Sequence, residues 1–225
     1  MRLFYSLVLC FILTFSFTQK LYPFEKWTQE EINLVKSVQN IGYMDSTEKR
    51  ILYLCNLVRI NPKLFRKTYL QEYIDVNKLD IKNYYLSSLI STLEVLKPIQ
   101  LLRADSNLYE MAKFHAVKMG ERGKVGHDGF DSRSKKFLKN KFSIVGENCS
   151  YGSFTSTDIF MDLLIDEGIS DLGHRKNILR PNFTSMGVSI KPHKSYGINC
   201  VMDFGCDQYL INEKPLIYKL LYWLK

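Results

Sequence analysis

Apolar residues recur at three- and four-residue spacing in several stretches of the chain, which is typical of helices that pack on a core. Thr28 with Glu31 and Asp45 with Glu48 fit the capping-box pattern, so a helix is expected to begin after each pair. The second helix should end before Pro62, because proline lacks the backbone N–H that a helix interior needs. The chain therefore opens with a short leading helix and then a longer one.

Three further helices are predicted before residue 170. They cover the apolar stripe from Leu86 to Leu96, a helix capped by Asp105 or Ser106 with Leu108, Met111, Ala112, His115 and Met119 on its apolar side, and a helix from Thr157 or Asp158 to Gly168. The segment 63–82 is polar and tyrosine-rich, so we expect it to be irregular with some helix. The segment 120–129 contains four glycines and is expected to be a loop.

Strand patterns follow in the second half of the chain. Residues 143–145 are predicted to form a short strand that leads into Gly146-Glu147-Asn148. Residues 186–190 and 196–204 are predicted to form two strands joined by a turn at 191–195. Helices and strands do not alternate as β–α–β units, so the predicted fold class is α+β, with helices packed on a small antiparallel sheet.

The first eighteen residues have the pattern of a secretory signal peptide. Arg2 supplies a short basic region, residues 3–17 are mostly apolar, and the small residues Ser16 and Thr18 fit a cleavage site after Thr18. The apolar run is short for a membrane span, although a signal anchor that is not cleaved would share the pattern. We therefore expect a secreted, extracellular protein.

The remainder is predicted to be one domain with an extension at each end. The N-terminal extension covers 19–44, the domain covers 45–210, and a short amphipathic tail covers 211–225. The apolar part of the tail is too short to cross a bilayer, so we expect it to dock on the domain or to touch a membrane surface.

Four cysteines remain once the signal peptide is removed: Cys55, Cys149, Cys200 and Cys206. In an oxidising compartment they suggest two disulfides, with three pairings open. Cys55 lies on an apolar helix face and is also compatible with a free buried thiol. The spacing includes no C-x-x-C pair of the kind that binds structural zinc.

The formal net charge is +8, and loss of Arg2 with the signal peptide lowers it to +7. The charge is spread along the chain rather than gathered into one basic tract. This distribution favours a solvated surface over nucleic-acid binding and allows a weak attraction to anionic lipid.

Two histidines and two carboxylates stand where the local pattern does not require them. His127 lies in the glycine-rich loop, Glu147 follows a strand, Asp166 lies on the apolar face of a helix, and His174 follows Gly173. Neutral imidazoles bind Zn2+ or another divalent cation, and a carboxylate can fix the tautomer of the ring. The same groups could serve general acid–base catalysis. Periodicity alone does not show that the four meet.

Four motifs, in this order, resemble those of the CAP superfamily, the SCP-like group of cysteine-rich secretory proteins, insect venom antigen 5 and plant pathogenesis-related protein 1. They are Asn56-Leu57-Val58-Arg59-Ile60-Asn61-Pro62, Gly126-His127-Asp128-Gly129-Phe130, Gly146-Glu147-Asn148, and Gly173-His174-Arg175-Lys176-Asn177-Ile178-Leu179 followed by Met186-Gly187-Val188. The resemblance covers about residues 45–208, and its last motif, which begins Gly173-His174-Arg175, is closer to the short microbial and protist members than to the animal form.

The resemblance implies an α–β–α sandwich and a cleft with two histidines and two acidic residues, which in some members holds a divalent metal. The matching positions in this chain are His127, His174, Glu147 and Asp166. Animal members usually have glutamate at the fourth position, so Asp166 is one methylene shorter there, and Glu167 stands beside it. Arg175 and Asn177 are expected to support the site through hydrogen bonds.

Two classes of function are expected. The first is a secreted binding protein with a metal in the cleft and a groove for a lipid, sterol or extracellular protein, because the resemblance implies sterol and fatty-acid binding without a general catalytic activity. The second is a metal-dependent peptidase with Glu147 as general base. Neither Gly-x-Ser-x-Gly nor His-Glu-x-x-His occurs in the chain, and a catalytic zinc usually has three protein ligands, so binding is favoured.

The two remaining histidines are expected to lie outside the candidate site. His115 should be a hydrogen-bonded packing residue, and His193 a solvated turn residue. Asn148 and Asn182 both begin an Asn-x-Ser/Thr pattern. Asn148 adjoins Glu147 and is expected to be unmodified, so Asn182 is the better acceptor.

Overall fold

The computed structural model describes residues 26–207. The predicted signal peptide at 1–18 and the predicted tail at 211–225 lie outside the described residues, and the domain boundaries stay a prediction. Within residues 26–207, no helix has the length and apolar character needed to cross a membrane.

Helices occupy most of the first two thirds of the described chain, and the longer strands come later. The helices are α1 Gln29–Lys36, α2 Ser46–Ile60, α3 Pro62–Phe65, α4 Gln71–Asn77, α5 Tyr84–Val95, α6 Ser106–Arg122, α7 Phe130–Leu138, α8 Ser156–Ile165 and α9 Gly173–Leu179, with a 3-10 helix at Ser37–Asn40 and a π-helical segment at Arg66–Leu70. The strands are β1 Arg103–Ala104, β2 Ile144–Tyr151, β3 Ser185–His193 and β4 Gly197–Cys206.

The predicted capping residues begin the helices that they were expected to begin. Thr28 and Glu31 form a complete capping box at α1, and Asp45 and Glu48 form one at α2. Asp105 caps α6 by accepting hydrogen bonds from the first backbone N–H groups of that helix. Local side-chain chemistry is enough to fix these three starts, because the cap and its partner are only two or three residues apart.

Three segments differ from the sequence-based expectation. The segment after Pro62 is more regular than expected, because Asn61 caps α3 and helical structure then continues to Asn77. The helix α7 was not expected at all. The strand β2 does not stop at residue 145 but continues to Tyr151, so Glu147 lies inside the strand.

The sheet has the order β1-β3-β4-β2. The pairs β3–β4 and β2–β4 are antiparallel, whereas the two residues of β1 pair with β3 in parallel. The sheet is therefore mixed, although its three long strands are antiparallel as predicted. The strand β2 lies at one end of this order.

Helices cover both faces of the sheet. Met202 of β4 belongs to the main core, which also contains side chains of α2, α5 and α8. The preceding residue, Val201, has its side chain on the opposite face of the sheet, where it packs against Ala112 of α6. A Cβ on Gly187 would lie 2.1 Å from the backbone nitrogen of Tyr109, so α6 crosses β3 at contact distance. This arrangement confirms the α+β class and the α–β–α layering.

The four cysteines are free thiols, and all are buried. The two predicted disulfides are not formed, so that prediction is wrong for this structure. Cys149 packs on the α6 side of the sheet, whereas Cys55, Cys200 and Cys206 belong to the main core. Burial raises the pKa of Cys55 to about 12, so its thiol stays protonated and packs as a small apolar group.

Candidate functional site

The first histidine pair joins the loop before α7 to the strand β2. His127 Nδ1 lies 2.8 Å from Glu147 Oε1. The His127 side chain is 50% exposed and the Glu147 side chain only 2%. An ionised carboxylate can only accept, so Nδ1 carries a proton and donates it to Oε1. We call these two residues the His127 pair.

Arg133 of α7 holds the other side of Glu147. Its Nη1 donates to Oε2 at 2.6 Å and its Nη2 donates to Oε1 at 3.0 Å, which is a bidentate contact. Burial alone would raise the pKa of Glu147, but the hydrogen bonds from His127 and Arg133 lower it to about 2. Glu147 is therefore a carboxylate at neutral pH, with both oxygens occupied.

The second pair joins the first turn of α9 to the end of α8. His174 Nδ1 lies 2.7 Å from Asp166 Oδ1, and the backbone N–H of Arg175 donates to Asp166 Oδ2 at 3.0 Å. Asp166 is buried, and the His174 side chain is 22% exposed. We call His174 and Asp166 the His174 pair.

Asp166 does not lie on the apolar face of α8, as was predicted, but directly after the helix. It has the left-handed backbone conformation with φ of 61°, which aspartate adopts more readily than most residues. The neighbouring Glu167 is exposed and accepts a hydrogen bond from Asn83 instead. Asp166, rather than Glu167, is thus the carboxylate that meets His174.

Two buried arginines fix the position of α9. Arg59, from the first resemblance motif, donates to the carbonyl oxygens of Gln100, Ile178, Arg180 and Phe183. Arg175 donates to the carbonyls of Tyr85, Leu164 and Ile165 and to Ser88 Oγ. Arg59 therefore ties α9 to α2, and Arg175 ties α9 to α5 and α8.

Two successive residues of β2 connect the histidine pairs: Glu147 belongs to the His127 pair, and Asn148 contacts His174 of the other pair. Asn148, next to Glu147, donates from its amide to the backbone carbonyl of His174 at 3.0 Å, and Asn177 donates to Asn148 Oδ1 at 2.8 Å. The supporting role predicted for Arg175 and Asn177 agrees with these contacts. Asn148 is fully buried, as an unmodified residue would be, whereas Asn182 is exposed and its glycosylation stays a prediction.

Two further titratable groups are buried next to Glu147, namely Asp203 and His115. Asp203 stands opposite Glu147 in the β2–β4 register and has no exposed surface. Burial, and then the charge of Glu147, raise the pKa of Asp203 well above its usual range, so this carboxyl group keeps its proton. His115 donates from Nε2 to the Gly126 carbonyl at 2.8 Å, which confirms it as a hydrogen-bonded packing residue. Burial lowers the pKa of His115, so it is neutral.

His193 was expected to be solvated, and that expectation is wrong. Its side chain is buried, with Nε2 2.9 Å from the Lys124 carbonyl and Nδ1 accepting from the backbone N–H groups of Ser195 and Tyr196. His193 thus shapes the turn between β3 and β4. A turn pattern in the sequence does not show which side chain folds back over the turn.

One group of described residues has the spacing of a metal site. Ligand atoms of His115, Glu147 and Cys149 all lie within 4.8 Å of one another. The charges are less suitable than the spacing, because Arg133 already neutralises Glu147. Burial, and then Glu147, raise the pKa of Cys149 well above its usual range, so the thiolate that binds metal is disfavoured.

The chemistry of His127 and His174 fits a divalent cation better. Each imidazole donates Nδ1–H to a buried carboxylate, and no hydrogen bond among residues 26–207 engages Nε2 of either ring. Metal-binding histidines commonly have this arrangement, because the carboxylate fixes the ring and raises its basicity. Glu147 and Asp166 therefore fit as residues that orient the ligands, and metal binding at the four predicted residues stays a prediction.

Comparison with known proteins gives a family. Residues 95–204 match the model of the CAP family, described as the cysteine-rich secretory protein family. A search of curated proteins found no match.

Three solved structures illustrate the range of structural similarity. An outer surface protein from Borrelia burgdorferi is 18% identical, with 58% of this chain and 97% of that chain covered and a TM-score of 0.42. An extracellular protein with an SCP domain from Bacillus anthracis is 24% identical, with 54% and 38% covered and a TM-score of 0.38. Venom allergen-like protein 4 from Schistosoma mansoni is 14% identical, with 72% and 90% covered and a TM-score of 0.47.

Proposed function

We propose that this chain, which belongs to the CAP family through residues 95–204, is a secreted binding protein that holds a divalent cation between Nε2 of His127 and Nε2 of His174. One observation carries the proposal: both Nδ1 atoms lie within 2.8 Å of a buried carboxylate oxygen. A neutral imidazole held in this way presents its lone pair at Nε2, which is the form that binds Zn2+.

The state of Glu147 argues against the peptidase alternative. A general base works best when its pKa lies near the working pH, whereas the pKa of Glu147 is lowered to about 2. To take a proton from water, Glu147 would also have to give up a hydrogen bond from Arg133 or His127. The chemistry of the site therefore favours holding a ligand over hydrolysing one.

A separate groove supports the hydrophobic-ligand part of the proposal. It has a volume of about 400 Å³ and is lined mainly by apolar side chains, namely Leu34, Val38, Ile41, Leu101, Leu102 and Ala104. This volume is within the usual range for small-molecule sites. Neither histidine pair lines the groove, so a cation and a lipid or sterol would occupy different places on the protein.

Calorimetric titration with Zn2+ tests the cation site. We expect His127→Gln and His174→Gln each to weaken zinc binding at least about ten-fold, and the double variant to show none. His115→Gln and Cys149→Ser, made separately, test the other candidate metal group, which consists of His115, Glu147 and Cys149. Each of these two changes should leave the zinc affinity unchanged. Unchanged binding in the double variant would refute the proposal, and zinc-dependent cleavage of a broad peptide library would favour the peptidase instead.

A further inference from the structure

The two helical layers of the sandwich differ in charge. Residues 106–142, which include α6 and α7, contain nine Lys or Arg against four Asp or Glu. On the other side of the sheet, residues 46–95 contain five acidic and eight basic residues, and residues 156–179 contain five acidic and two basic residues, so the charges there balance. The excess of positive charge among these helices therefore lies on the α6–α7 side of the sheet.

The basic side has an apolar centre. Phe114 and Val117, one turn apart on α6, are 39% and 38% exposed. Phe137 of α7 lies beside them, with its ring centroid 5.5 Å from that of Phe114. These three side chains line a shallow groove of about 540 Å³ on the outer surface of the helical layer.

Basic side chains lie beside this centre, although Glu110 and Glu121 also line the groove. Lys136 Nζ lies 5.0 Å from the Phe114 ring centroid and 5.2 Å from that of Phe137, and Lys118 Nζ lies 5.9 Å from Phe114. The segment 135–141 contains four lysines in seven residues. We call Phe114, Val117, Phe137, Lys113, Lys118 and Lys136 the basic–aromatic face.

We infer that the basic–aromatic face binds the surface of an anionic lipid bilayer. Lysines near such a surface are attracted by its negative potential, and an exposed phenylalanine gains further free energy by entering the boundary between headgroups and acyl chains. The helices on the opposite side of the sheet carry as many acidic as basic residues, so the charge asymmetry also favours an orientation with the basic–aromatic face toward the bilayer. Neither histidine pair belongs to this face, so the inference does not depend on the proposed cation site.

The aromatic centre is what favours a bilayer over another anionic partner. An acidic protein or a polyanion would interact with the lysines, but an apolar centre gains most from a partner with an apolar phase beneath its charges. The contribution of the lysines to the binding free energy decreases with added salt, whereas that of the phenylalanine does not. The two contributions can therefore be measured separately.

Vesicle co-sedimentation of the purified chain tests the inference, with phosphatidylcholine vesicles that contain or lack phosphatidylserine. Binding is expected only with phosphatidylserine, and it should weaken as salt is added. Lys113→Ala, Lys118→Ala and Lys136→Ala combined should weaken it about 100-fold, at about five-fold for each lysine. The matched control combines Lys63→Ala, Lys67→Ala and Lys82→Ala, which are exposed elsewhere and make the same change in net charge.

Phe114→Ala should weaken vesicle binding about ten-fold and leave its salt dependence unchanged. Phe154→Ala is the control, because Phe154 is 69% exposed but lies outside the face. The inference fails if phosphatidylserine vesicles do not bind, or if the lysine variant matches its control. It also fails if Phe114→Ala has no effect and polyglutamate competes fully, since the face would then serve an acidic protein.

Discussion

The His127 pair and the His174 pair use the same contact in different surroundings. Each has a histidine Nδ1 on a buried carboxylate oxygen, at 2.8 Å and 2.7 Å. Glu147 is neutralised by the guanidinium group of Arg133, and its histidine is half exposed. Asp166 is stabilised by a backbone N–H, and its histidine is less exposed.

This difference indicates that the two carboxylates have different roles in the structure. Glu147 is part of a buried ion pair between β2 and α7, so it links two elements as well as orienting His127. Asp166 binds within a short loop between α8 and α9, so its effect should be confined to His174. Changes near Glu147 should therefore affect stability first, and changes at Asp166 should affect ligand binding first.

The largest effect is expected from Arg133→Met. This substitution leaves Glu147 buried without its cationic partner, and breaking a buried ion pair in this way costs about 3–5 kcal/mol. Urea unfolding followed by circular dichroism measures the loss. Arg122→Met, at the exposed end of α6, should stay within about 0.5 kcal/mol of the parent. Equal, small effects of the two changes would mean that Arg133 has no special role.

A smaller effect, on ligand binding rather than on stability, is expected from Asp166→Asn. Loss of the carboxylate lowers the basicity of His174 and should weaken zinc binding about 10–100-fold. Asparagine also tolerates the left-handed backbone at this position, so the fold should persist. Glu167→Gln is the adjacent control and should leave zinc affinity unchanged. If Glu167→Gln produced the larger loss, the assignment of the His174 pair would be wrong.

The smallest effect is expected from a change at Asp203, the cross-strand neighbour of Glu147. Its pKa is raised in the folded state, so the fold binds this proton more tightly than the unfolded chain does, whose aspartate pKa is about 3.9. Stability from this group is therefore present below about pH 4 and is lost as the pH rises. Asp203→Asn should raise the free energy of unfolding by about 1 kcal/mol at pH 7, and the gain should vanish near pH 4.

Urea unfolding of the parent and of Asp203→Asn at both pH values measures this difference. The pKa of Glu147 is lowered instead, so its contribution has the opposite sign and is lost only as the pH falls from about 4.3 toward 2. A variant that is less stable than the parent at pH 7 would show that Asp203 is needed as a carboxyl group.

Local signals were sufficient to predict much of the fold. Thr28 and Asp45 start their helices through contacts only a few residues long, and the alternating pattern of residues 196–204 predicted the strand β4. The helix α7 could not be predicted in this way, because Arg133, a charged residue, is one of its buried side chains. Its burial depends on a partner in β2, and neither the partner nor the contact is visible in the pattern of α7 itself.

The members of the candidate site were visible in the sequence, but their roles were not. The resemblance motifs contain His127, Glu147 and His174, yet they do not show which atoms are used. The carboxylate oxygens are occupied by Nδ1 atoms, Arg133 and a backbone N–H, which is a property of the folded arrangement. One missed signal was Asp203, a carboxyl group between the apolar residues Met202 and Phe204 of β4.

The central claim is that each imidazole carries its proton on Nδ1 and offers Nε2 to a cation. Long-range proton–nitrogen NMR of the histidine rings measures this directly, without and with Zn2+. We predict the Nδ1–H tautomer for His127 and His174, with the two Nε2 resonances shifting together as zinc is added and those of His115 and His193 unchanged. Nε2–H tautomers at His127 and His174, or a zinc-dependent shift at His115 instead, would contradict the claim.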